Sequence, residues 1–266
     1  AAADHLTPIT LELGGKSPAI IDSSANLKDA AASIIYGKLI NSGQTCIAPD
    51  YAVVHASNCE AFAHELQNAA QKQFSNPEEL TGAIDEHQLA RWHQLVQDAV
   101  DRGAQAIPLI ASTENIALAF TPVALFNVSE DALIMQEEIF GPILPIVAIN
   151  DLDSTIRYIN ERPKPLALYW FGKDKKVMQR ILNETCSGGV TINDTLLHAA
   201  VEDLPFGGIG ASGMGAYHGK AGFEAFSHRK SVLEVRGFFG LNFLRGTKLA
   251  RPPYGNGVER LIRWLR

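Results

Sequence analysis

The chain has 266 residues, more than one typical domain, and its 46% hydrophobic to 20% charged balance is that of a globular protein with a sizeable core. A formal net charge of -6 leaves no basic surface to neutralise a run of phosphates, which argues against nucleic acid as a partner. No apolar run approaches the roughly 20 residues that span a bilayer, and the opening AAADHLTPITLEL lacks the sections of a secretory signal, so a cytoplasmic protein with no stable membrane insertion is expected.

In chain order, Thr10, Leu11 and Leu13, then Ala19, Ile20 and Ile21, form short strand-compatible runs bounded by Gly14, Gly15 and Pro18. The first strand signal arrives by Ile9 with nothing before it to pair with, which hints at a missing N-terminal part. Leu27, Ala31, Ile34, Ile35 and Leu39 have helical spacing that Asn41-Ser42-Gly43 stops, and YAVVH (51 to 55) reads as a strand. Ser57 with Glu60 forms a capping box ahead of a second helix. A third helix runs from about Glu86 to Val100, with Leu89, Trp92, Leu95, Val96 and Val100 on one stripe and Gly103 closing it. Strands follow at 124 to 126, 143 to 149, 166 to 171 and 188 to 192, separated by helical stretches near 151 to 161 and 174 to 185. Apolar strands interleaved with amphipathic helices predict an α/β fold with a parallel sheet covered on both faces. No internal repeat or low-complexity linker interrupts it, so one main domain is expected over 1 to 230 and an extension over 231 to 266. In that extension SVLEV reads as an edge strand, while GFFGLNFL and the basic end are more weakly compatible with a membrane surface.

Three cysteines, Cys46, Cys59 and Cys186, form no CxxC pair and cannot all pair with one another, which suits a reducing compartment. Cys46 ends Asn41-Ser42-Gly43-Gln44-Thr45-Cys46, a glycine-containing loop between a helix end and a strand. Such a loop exposes a sulfur and aims backbone N–H groups at it, as a nucleophile requires. A free cysteine is commonly a small buried hydrophobe. Glu12, flanked by Leu11 and Leu13, would be a general base if partial burial raised its pKa, and a solvent-facing strand residue otherwise. Glu137-Glu138-Ile139-Phe140 places two carboxylates and an aromatic before another strand, and would otherwise be a plain turn. Gly208-Ile209-Gly210-Ala211-Ser212-Gly213 spells the dinucleotide fingerprint, but no apolar strand precedes it and no clear helix follows, so it fails the test of context. No pair among His198, His218 and His228 has the close spacing of a zinc site, and packing or rim roles are expected for them.

LELGGKSP (11 to 18), NSGQTCIAPDY (41 to 51), EEIFGPILPI (137 to 146) and LPFGGIGASGMGAYHGKAGFEAFSHRKS (204 to 231) occur together, and in this order they resemble the aldehyde dehydrogenase superfamily. APDY after Cys46 and the GMGAYHGK run resemble its class-three branch. RPPYG and LTPITLELGGKSPAII are similar to the bacterial coniferyl aldehyde dehydrogenases.

The resemblance implies the parallel-sheet catalytic domain of that fold, without the N-terminal dinucleotide-binding domain. It implies that Cys46 attacks an aromatic or medium-chain aldehyde as a thiolate, giving a thiohemiacetal and then a thioester, with NAD or NADP taking the hydride. Glu12 would deprotonate the hydrolytic water. Glu138, Phe140 and Gly14 would contact the nicotinamide nucleotide, and Phe206, Ile40 and Thr45 would line the aldehyde pocket. No metal is implied. The segment after Ser231 would join an oligomerisation sheet, giving a homodimer. The family's oxyanion asparagine and pyrophosphate-facing helix start have no counterpart here, so weak or no activity is expected of these residues alone. Two other readings stay open: a cofactor-independent thiol esterase, and a non-catalytic assembly fragment whose exposed apolar surface seeks a partner.

Overall fold

The structure is a computed structural model that describes residues 1–111, 113, 116–234, 252 and 256–264. Two compact units are distinguished, Ala1–Phe226 and Ser227–Arg266. The first is built on a seven-stranded sheet whose spatial order is set by crossovers. Its strands are β2 (Pro18–Ile21), β3 (Tyr51–His55), β4 (Gln105–Pro108), β5 (Val123–Phe126), β6 (Ile143–Ile149), β7 (Ala167–Phe171) and β8 (Gly189–Ile192), in the order β4-β5-β6-β3-β2-β7-β8. All neighbours are parallel except β4, which pairs antiparallel with β5. A separate two-stranded ladder joins β1 (Leu11–Glu12) to β9 (Gly213–Met214), with Glu12 opposite Gly213.

Helices α1 (Leu27–Leu39) and α2 (Cys59–Gln73) cover one face of the sheet, and α5 (Leu152–Asn160) and α6 (Lys175–Glu184) the other. The alternation of side chains along a strand divides each run between the two layers. Ala19 and Ile21 of β2, with Tyr169 and Phe171 of β7, join the α1/α2 core, while Ile20, Leu168 and Trp170 join the α5/α6 core. This two-sided burial is why the strands are apolar throughout instead of alternating. A third core packs α3 (Glu86–Asp101) and α4 (Leu133–Gln136) around Trp92, Leu95 and Ile139. Val100, expected on that stripe, is exposed instead, and Ala99 takes the buried place.

The capping box does not form. Residues Ala56–Asn58 make a 3-10 turn capped by the His55 side chain, and the Ser57 hydroxyl bonds Nδ1 of His55 at 2.8 Å, leaving α2 to start one residue later without a side-chain cap. Short helices α7 (Leu197–Ala200) and α8 (Gly219–Ala225) complete the first unit. In the second unit, residues 231–234 form no strand, and the last residue of SVLEV, GFFGLNFL and most of RPPYG lie outside the described residues. A further helix, α9 (Asn256–Trp264), was not anticipated from the sequence. Among the described residues no helix is long and apolar enough to cross a membrane.

Candidate active site

The loop that carries Cys46 is strained. After α1, Asn41, Ser42 and Gly43 adopt left-handed backbone angles, φ 50, 48 and 72°, a region that costs a non-glycine residue roughly 1–2 kcal/mol. Gly43 is required there twice over, since a Cβ would also overlap the Gly141 carbonyl. Side chains hold the strain in place. Gln44 Nε2 donates to the carbonyls of Asn41 and Gly82, each at 3.1 Å, its Oε1 accepts from the Ile84 N–H at 2.9 Å, and the Ser42 hydroxyl donates to the Thr81 carbonyl. Strain fixed by surrounding contacts is characteristic of working loops. Cys46 emerges from it half-buried, at the amino end of β3.

Glu12 reaches the same place from β1. The Cys46 thiol donates to Oε1 of Glu12 at 3.4 Å, and the Tyr217 hydroxyl donates to Oε2. The two groups that the motif paired are therefore neighbours across 34 residues of chain. Of the two alternatives for Glu12, the structure shows the solvent-facing strand residue, because both residues of β1 are exposed. The thiol is strongly perturbed. Burial first, then its bond to Glu12 and the negative charges of Glu12 and Glu138, push Cys46 up to about 11, while its own backbone N–H pulls the other way. In this arrangement the sulfur rests as a thiol.

The carboxylate that burial does raise is Glu138, to about 6. Its Oε2 accepts the Gly15 N–H at 2.9 Å and lies against Gly14, where a Cβ would overlap it. Phe140 follows in a left-handed conformation, φ 48°, with its ring exposed. Helix α3 fixes this segment through the backbone. Arg91 donates to the carbonyls of Ile139 and Glu138 at 2.7 and 2.5 Å, and Trp92 Nε1 and Gln88 Nε2 both donate to the Phe140 carbonyl at 3.1 and 3.0 Å. An acceptor carboxylate beside an exposed aromatic face suits the ribose and ring of a nicotinamide nucleotide. A cleft of about 540 Å³ lies between Phe140 and the Asn41 and Gln44 end of the cysteine loop, though neither Cys46 nor Glu12 lines it.

Beneath these groups is a buried charge cluster that sequence reasoning missed. Lys16 Nζ pairs with Asp50 and donates to the carbonyls of Ile134 at 2.6 Å and Glu137 at 3.0 Å, and Asp50 Oδ1 accepts the Ile139 N–H at 2.9 Å. Lys38 is 1% exposed, and burial lowers it to about 8 against the opposing pull of Asp50. The signal was present, because Lys38 lies four residues after Ile34 on the apolar stripe of α1.

Phe206 is buried in the apolar cluster against which Cys46 and Tyr217 pack, whereas Ile40 is exposed at the end of α1 and Thr45 is half-buried. The Phe206 ring stacks on His218 and meets Tyr217 edge-on. His198 is buried, bonds Thr191 through Nδ1 at 2.7 Å, and is held below its ordinary pKa by burial. The Gly208–Gly213 segment runs into β9, not into a helix, and Ser212 closes its turn by accepting the Ile209 N–H at 2.9 Å. Tyr217 was overlooked because nothing local in GAYHGK distinguishes its hydroxyl. Among the described residues no group of three His, Cys, Asp or Glu is placed to hold a metal.

Comparison with known proteins places these residues in context. The family model described as "Aldehyde dehydrogenase family" matches residues 1–232. A Pseudomonas aeruginosa protein named "Probable coniferyl aldehyde dehydrogenase" is 47% identical over 265 residues, covering 98% of this chain and 54% of that protein. "Aldehyde dehydrogenase, dimeric NADP-preferring" of Rattus norvegicus is 43% identical, covering 88% and 51%. The solved structure "Substrate bound state of Staphylococcus Aureus AldH" is similar with a TM-score of 0.86 at 38% identity, covering 100% of this chain and 57% of that one. The chain spans about half the length of the curated relatives it matches.

Proposed function

Because the chain belongs to the aldehyde dehydrogenase family, we propose that the protein to which these residues belong oxidises an aldehyde to the carboxylic acid with NAD or NADP. The observation that carries this reading is the 3.4 Å contact between the Cys46 sulfur and Glu12 Oε1, made at the amino end of the strands. Cys46, once deprotonated, adds to the aldehyde carbon, and its bond to that carbon persists through the thiohemiacetal to the thioester. Bound oxidised nicotinamide supplies the acceptor for the hydride that this step releases, and Glu138 and Phe140 beside Gly14 are the residues that would hold it. Glu12 then takes a proton from the water that attacks the thioester, which regenerates the thiol and yields the acid. A carboxylate acting through water needs only hydrogen-bond reach, so its exposure is no obstacle.

The relative's name favours an aromatic aldehyde such as coniferyl aldehyde, and the aromatic surroundings of Phe206 and His218 fit a planar substrate, with a medium-chain aldehyde as the alternative. A homodimer in the cytoplasm, with residues 231–266 contributing to assembly and 1–230 to catalysis, completes the reading and draws on the rat relative's description. These residues alone are proposed to be weakly active at best. The test is nicotinamide reduction followed by absorbance in the native protein. Cys46→Ala is expected to abolish it, and Glu12→Gln to keep a single-turnover burst while slowing the steady state by about 10²- to 10⁴-fold. Full turnover by Cys46→Ala would sink the proposal.

A further inference from the structure

The geometry points to Tyr217 as a positioning residue that holds the Glu12 carboxylate against the Cys46 thiol. This rests on the catalytic pairing proposed above and deepens it. Glu12 stands on an exposed two-residue strand, and its carboxylate accepts from the Cys46 thiol and the Tyr217 hydroxyl. Fixing a free glutamate costs rotamer freedom. A thiol is a weak donor and, at 3.4 Å, cannot supply that by itself. The Tyr217 hydroxyl can, because a hydrogen bond from a good donor to a charged acceptor is among the stronger ones.

Tyr217 is itself fixed. Its backbone exchanges two hydrogen bonds with Phe206, at 2.8 and 2.7 Å. Its ring stands edge-on to Phe206 at 5.6 Å and to His218 at 4.8 Å between centroids. Glu12's own backbone pairs with Gly213, so its main chain and its carboxylate are both anchored on residues 206–217. The glycine-rich segment thus serves the acid at its centre, in place of a phosphate. Burial and the neighbouring Glu12 push the phenol up to about 12, so it remains a donor at any pH where the enzyme could work.

The titratable groups facing the thiol are Glu12, Glu138, Tyr169 and Tyr217. Glu12 provides both a bond and a charge that keep the proton on sulfur, and that hold requires the carboxylate to stay in place. Without the phenol the carboxylate spends more time in water, and the thiol should ionise more readily.

The experiment is the pH dependence of Cys46 alkylation by iodoacetamide in the native protein, followed by peptide-resolved mass spectrometry. Circular dichroism serves as the control for folding. Glu12→Gln is expected to lower the apparent thiol pKa by more than one unit. Tyr217→Phe is expected to lower it by a smaller step in the same direction. A fall of one unit gives about tenfold more thiolate, or about threefold faster alkylation once the weaker nucleophilicity of a less basic thiolate is counted. If Tyr217→Phe leaves the pKa unchanged or raises it while Glu12→Gln lowers it, the positioning role is overturned and the Cys46–Glu12 pair survives. If neither variant moves it, the pairing itself falls.

Discussion

The two edges of the central sheet are built by different rules. At the carboxyl edge, charged and amide cap side chains serve their own helices, and the longer-range bonds there are made by the uncharged side chains of Ser24, to the Lys173 and Asp174 N–H groups, and Asn193, to the Gly172 N–H. Asn26 accepts from Lys28 and Asp29, Asp151 from Ser154, and Asp174 from Lys176 and Val177, each two or three residues away. At the amino edge, partners come from far along the chain. Lys16 bonds Asp50 across 34 residues and Ile134 across 118, and Glu138 bonds Gly15 across 123. Local caps satisfy backbone donors at little risk to the fold. Distant buried charges are satisfied only once the whole unit is assembled, and the shifted titrations of Cys46, Lys38 and Glu138 gather at that edge. Chemistry is placed where the fold is electrostatically costly.

That contrast is broken most directly by removing one partner at the amino edge. Lys16→Met leaves the Asp50 carboxylate, 3% exposed, without its ion pair. Breaking such a buried pair costs about 3–5 kcal/mol, and the low end is expected because Lys38 still faces Asp50. The check is the denaturant midpoint at unchanged slope. A loss below about 1 kcal/mol, the range of exposed pairs, would show that the amino edge is no different from the surface.

Lys38 gives a pH-dependent form of the same test. Its pKa is lowered from 10.5 to about 8 in the folded chain. Below pH 8 the folded and unfolded chains both carry the proton, and the cost of the buried charge is present in full, on the order of 3 kcal/mol. Between about pH 8 and 10.5 the folded chain releases its proton first, so stability rises with pH. Lys38→Met is expected to be more stable than the parent at pH 7 and to lack this rise. Because the Lys16 charge also presses Lys38 down, Lys16→Met should move the rise to higher pH. Parallel stability curves for parent and Lys38→Met would refute the account.

The difference between the edges also explains what the sequence revealed. The apolar runs at 51 to 55 and 143 to 149 became β3 and β6 with those bounds, because strands buried on both faces have one solution. The stop after Leu39 was readable, since Asn-Ser-Gly tolerates left-handed backbone. The Ser57 box failed because His55, two residues upstream, competed for the same hydroxyl. At the site, position alone left Cys46 and Glu12 open, and it was the motif order that paired them. The Tyr217 bond was not legible, because it follows from the β1–β9 ladder between residues some 200 positions apart.

Helix α1 joins the two edges, and its two ends offer the smallest and most discriminating test. Asn26 caps it at the carboxyl edge, through bonds of 3.2 and 3.5 Å to the N–H groups of Lys28 and Asp29. Twelve residues later the helix delivers Lys38, and then the strained turn that presents Cys46. Asn26→Ala is expected to cost about 1 kcal/mol or slightly less, given the length of those bonds. Sites this far apart with no shared partner should act additively, so the pH midpoint of Cys46 alkylation should not move. If loss of the cap did shift that midpoint, α1 would be transmitting strain from one edge to the other, and the separation between a locally capped edge and a remotely paired one would have to be abandoned.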